Sequence, residues 1–133
     1  YTYSMNTLII LITSFISVIV LDFIWLGIIM KPFNTKILSP WMTGDFKLWP
    51  AVVVYVLLAL GTAFFVFPKV SSLGTAALYG AFLGLIIYGV YDMTNLAIIT
   101  GWPLKFALVD MAWGTVSGGL IAMIAYGVSK LVK

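Results

Sequence analysis

The chain has 133 residues, of which 63% are hydrophobic and 8% charged, with a mean hydropathy of +1.17. Soluble domains carry about 25% charged residues, so this composition cannot build a water-facing surface and the chain belongs to the membrane class. All seven cations are lysine and all four anions aspartate, with no Arg, Glu, His or Cys. That excludes disulfides and thiolate metal sites and removes the usual haem ligand and general base, while a dispersed net charge of +3 is no footprint for nucleic acid.

A length well below about 200 residues fits a single domain, 1–133. Tyr1–Ser4 precede Met5, after which the chain reads like a natural membrane-protein start. The first apolar run, 8–30, is too long for a signal-peptide h-region and lacks the flanking charge and cleavage site, so it is expected to remain as a helix.

A spanning helix needs about 20 predominantly apolar residues, and four segments qualify, at about 7–30, 50–67, 72–99 and 103–128. Lys31 and Pro32 close the first. Pro50 suits the start of the second, and Pro68 and Lys69 stop it; with no charge, this span reads as packing. Ser71 or Ser72 can cap the third, and Gly101 supplies the left-handed residue at its end. Pro103 opens the fourth, and Lys130 and Lys133 finish the chain in water.

The first connection, 31–49, holds Pro32, Pro40 and Gly44 and is expected to be long and irregular, with Trp41 and Trp49 at headgroup level and Asp45 in solvent. The other two connections are very short, which forces antiparallel neighbours and places the third span beside the second and the fourth. The expected fold is all-α: a polytopic membrane protein with four transmembrane helices in an antiparallel bundle. Gly80 and Gly84 form one G-x-x-x-G stripe, and Gly114 and Gly118 another. Such spacing lets helix backbones approach, here within the bundle, with a dimer face as the alternative. Four lysines on one side and three on the other do not decide orientation.

Chain direction brings the acids to one depth. Asp22 lies eight residues before Met30, Asp92 nine before Gly101 and Asp110 nine after it. At about 1.5 Å rise per residue all three sit roughly 10–13 Å below the surface that carries the first and third connections. Residues at i and i+3 share a helix face, which gives Asp22 with Trp25, Asp92 with Asn95 and Asp110 with Trp113; Tyr88, Tyr91, Thr94 and Thr115 can join this network. An aspartate at the centre of a span costs about 2.5–3.5 kcal/mol on insertion scales, so the three are expected to gather away from lipid. Crowded in a low-dielectric interior, they are expected to hold at least one proton among them at neutral pH. Lys105 is the cation closest to them and is expected to snorkel outward.

LDFIWLG at 21–27, YGVYDMTNLA at 88–97, GWP at 101–103 and VDMAWG at 109–114 resemble a family of small four-helix membrane proteins of unknown function, found mainly in bacteria. The likeness covers nearly the whole chain and implies the fold, a bacterial inner (plasma) membrane and no particular activity. Phe33 departs from the tyrosine that the resemblance implies.

The expected site is therefore Asp22, Trp25, Tyr88, Tyr91, Asp92, Asn95, Asp110 and Trp113, binding or moving a proton, a cation or a small cationic solute; the tryptophans can add cation–π contacts to an organic cation. The alternative is an accessory subunit of a larger membrane complex, and the bland reading of the same residues is interhelical hydrogen-bond glue. Partners are membrane lipids, with a homodimer or larger complex possible. No cofactor is expected, the metal question stays open, and an enzyme is not expected. Tyr91, Asp92 and Asp110 resemble an intramembrane aspartyl protease pair, but the second acid stands in LVD rather than G-x-G-D.

Overall fold

The computed structural model describes residues 2–42 and 47–132, with side chains from Asn6 onward. Gly44 and Asp45 lie outside the described residues, as do Tyr1 and Lys133. The described elements are helical: α1 (Thr2–Ile24), α2 (Lys31–Leu38), α3 (Leu48–Gly61), α4 (Leu73–Ile98) and α5 (Leu104–Leu131), with π-helical turns at Trp25–Ile29 and Thr62–Val66 and a 3-10 turn at Phe67–Lys69. Four stretches, Asn6–Ile29, Leu48–Lys69, Leu73–Ile98 and Leu104–Leu131, are long and apolar enough to cross a membrane. The shortest has 22 residues, which at about 1.5 Å each cover roughly 33 Å against a hydrocarbon core of about 30 Å.

Two expectations about helix ends need correction. Pro32 does not leave an irregular loop behind it. It occupies the first turn of α2, where a missing N–H costs nothing because first-turn N–H groups have no intrahelical acceptor. Pro68 likewise falls inside the closing 3-10 turn of the second span instead of ending it at 67. Elsewhere the caps form as the residue types suggest. The Thr75 N–H donates to Ser72 Oγ (3.1 Å) and the Ser72 N–H donates to Thr75 Oγ1 (2.9 Å), a reciprocal capping box that opens α4. Gly101 sits at φ +82°, the left-handed conformation that only glycine adopts freely, and so reverses the chain between α4 and α5.

The α4–α5 contact is the most extensive in the protein, and the glycine stripes make it. A Cβ on Gly84 would overlap the Gly114 carbonyl oxygen, and one on Gly118 would overlap the Gly80 carbonyl. The two stripes are thus pressed backbone to backbone within one chain. α5 also packs against α1, and α1 against α3, so α5 is the most enclosed span. The second span meets α4 chiefly through its 62–69 end. The third span thus lies beside the second as expected, but towards α2 the two diverge and leave an open space between them.

Candidate functional site

Of the acids on three helices, Asp22 and Asp110 line that space and Asp92 lies behind Asp110. Asp92 on α4 is fully buried, and Asp110 on α5 is 8% exposed. The two carboxyls lie side by side, held there by the glycine contact one to two turns deeper. Neither Asp92 oxygen has a hydrogen-bond donor. Asp22 on α1 is half-buried, and its carboxyl faces the Tyr55 hydroxyl and the Trp113 indole.

The tryptophans pair across helices. Trp25 and Trp113 stack with ring centroids 4.4 Å apart and planes 1° from parallel. Asp22 faces Trp113, and Asp110 faces Trp25, so each D-x-x-W segment serves the acid of the other helix. Antiparallel packing explains the crossing, because the residue three places after one acid comes level with the acid opposite. The π turn begins at Trp25 and is closed by the Met30 N–H donating to the Trp25 carbonyl (2.7 Å). Such turns widen a helix locally and recur at functional sites. The Trp113 N–H is buried without an acceptor within bonding distance.

Asp22 and Asp110 line a cavity of about 440 Å³ together with Trp25, Tyr88, Tyr91 and Asn34. Tyr88 fits because position 114 is glycine: a Cβ there would run into its ring. Below, a cavity of about 20 Å³ lined by Asp22, Thr62, Tyr88 and Ser117 has room for one water molecule. Above, α2 closes the site. Phe33 stacks on Phe106 (5.5 Å), and Leu38 packs against the cluster of Met30, Trp102, Phe106 and Ala107. Asn34 Oδ1 is buried there without a donor.

Not every expected residue joins this cavity. Asn95 pairs with Tyr91 and lines a separate outer groove with Trp41, Ile99 and Trp102. Asp92 and Trp113 do not line the cavity either: Asp92 reaches it only through Asp110, and Trp113 through its stack with Trp25. Tyr91 bridges the two spaces, edge-on to Trp102 at 6.5 Å. Thr94 is exposed. The Thr115 hydroxyl donates to the Met111 carbonyl of its own helix (2.9 Å). Lys105 is exposed. Among the described residues no set of three acids is positioned to hold a metal ion.

Sequence reasoning missed Tyr55 and Asn34. A tyrosine in the middle of a span whose only other central polar side chain is Thr62, and an asparagine four residues before Leu38, were the available signals.

The fold and the site define a small polytopic helical membrane protein with acids gathered inside it. The chain belongs to the family described as "Predicted membrane protein (DUF2177)", whose sequence profile matches residues 7–127. No curated protein and no solved structure matches it.

Proposed function

We propose that this protein binds a small cation in the cavity between Asp22 and Asp110 and exchanges it for a proton held by the Asp92–Asp110 pair. The supporting observation is the bonding state of Asp92: fully buried, with both oxygens lacking a donor, and another carboxyl as its neighbour. Two facing carboxylates repel in low dielectric and leave lone pairs unmet. One shared proton supplies the missing hydrogen bond and removes a charge. Asp110 also lines the cavity, so a cation arriving there competes for the same negative charge. The stacked tryptophans and Tyr88 add aromatic surface suited to an organic cation. The exchange itself needs no gradient; in a bacterial plasma membrane the proton gradient would drive net cation movement through it.

The experiment is proton release. Ethylammonium chloride is added to purified protein in weakly buffered detergent at neutral pH, and the pH change is read with an indicator dye. Release that saturates with the probe, and that Asp92→Asn abolishes, is the expected result. Saturable binding with no proton release would reject the exchange, and no binding would reject the site.

A further inference from the structure

Resting on that reading, the geometry points to a particular class of cation: we infer that the ligand is a single-chain amphiphile with a primary ammonium head, admitted sideways from the membrane between the second and third spans. The head assignment follows from what the cavity offers. The carboxyls of Asp22 and Asp110 line it, together with Asn34, Tyr88 and Tyr91. Two carboxyls around one space match a group with several N–H donors, and a quaternary ammonium has none.

The tail assignment follows from where the cavity opens. Its outer wall is Val54 and Leu58 on α3 and Ile87 on α4, with Leu26 of the π turn beside them. Val54, Ile87 and Leu26 are 49%, 36% and 48% exposed, and the two helices touch chiefly at their far end. Counted from Leu48 and Ile98, Val54 and Ile87 lie roughly 9–16 Å below the α2 surface, within one leaflet of a core about 30 Å thick. A gap at that depth, rimmed only by hydrocarbon, faces acyl chains and not water. α2 and the aromatic group of Phe33, Trp102 and Phe106 cover the direct route from the aqueous side. An alkylammonium fits both halves, with its head among the acceptors and its tail passing between Val54 and Ile87 into the leaflet.

The chain contains no cysteine, so a bridge across the gap can be placed without background. In phosphatidylcholine nanodiscs, the Val54→Cys/Ile87→Cys protein joined by a cleavable bismaleimide is compared with its unjoined form. Joining is expected to weaken equilibrium binding of decylammonium at least tenfold, to leave that of ethylammonium within twofold because a single bridge obstructs a held tail but lets so small a probe past, and to be reversed on cleavage. Val54→Trp, which narrows the gap without a crosslink, is expected to act in the same direction. Decyltrimethylammonium is expected to bind unmodified protein at least tenfold more weakly than decylammonium. Equal effects of joining on long and short amines, or equal binding of the two decyl compounds, would overturn this inference while ethylammonium binding leaves the parent reading standing. Failure of the unjoined protein to bind any amine would remove both.

Discussion

Gly84→Ala is expected to destabilise the protein by roughly 2–3 kcal/mol, while the same substitution at Gly127 stabilises it by about 0.5–1 kcal/mol. The chemistry of the two changes is identical and only the surroundings differ. A Cβ at 84 would overlap the backbone carbonyl of Gly114, whereas one at 127 meets nothing within 4 Å. A flexible side chain could swing aside, but a backbone carbonyl moves only if the helix moves. α4 must then back away from α5. At 127 the new methyl merely removes the conformational freedom that glycine confers on the unfolded chain. Unfolding in mixed micelles with increasing dodecyl sulfate, followed by tryptophan fluorescence, reads both changes. Equal and small effects would mean that the helices do not approach as described. Because the same contact sets Asp92 beside Asp110, Gly84→Ala is also expected to reduce cation binding more than its loss of stability alone explains.

Asp110→Asn is the second large effect. The amide keeps the shape of the carboxyl and can still hydrogen-bond Asp92, so the fold is expected to survive. What is lost is the charge that both faces the cavity and shares the proton. Removing one partner of a buried charge pair costs about 2–5 kcal/mol, a roughly 30- to 4,000-fold weakening. Ethylammonium affinity is expected to fall by at least about 30-fold on that basis. Lys105→Gln, at an exposed position away from the cavity, is expected to leave affinity unchanged. Calorimetric titration of the two variants checks the pair. Near-normal binding by Asp110→Asn would mean that the cavity does not hold the cation.

Much of this was readable from residue types alone. Four apolar runs with lysines and prolines at their ends fix the spans, because lipid leaves the backbone no alternative to helix. Counting residues back from the turns places the three aspartates at one depth. The Gly80, Gly84, Gly114 and Gly118 spacing announces the close helix pair. Rotation about each helix axis is what a single sequence does not carry. Asn95 lines the outer groove, Trp25 and Trp113 exchange acids, and Tyr55 faces Asp22, placements that depend on how each helix is turned against its neighbours. α2 is a tertiary product. Its eight residues have a mixed sequence with two lysines, and an isolated helix that short is unstable in water. It is held by Phe33 on Phe106 and Leu38 on the cluster around Trp102, contacts that exist only once the bundle has closed. Asn34 reaches the site by that route, which is why spacing did not reveal it.

The protonation of the buried acid pair is most directly tested by infrared difference spectroscopy of the protein in lipid at neutral pH, with and without ethylammonium. The expected spectrum has a carbonyl band from a protonated carboxyl that is present without the cation, disappears when it binds, and is absent throughout in Asp92→Asn. A spectrum with carboxylate bands alone, unchanged by the cation, would contradict it.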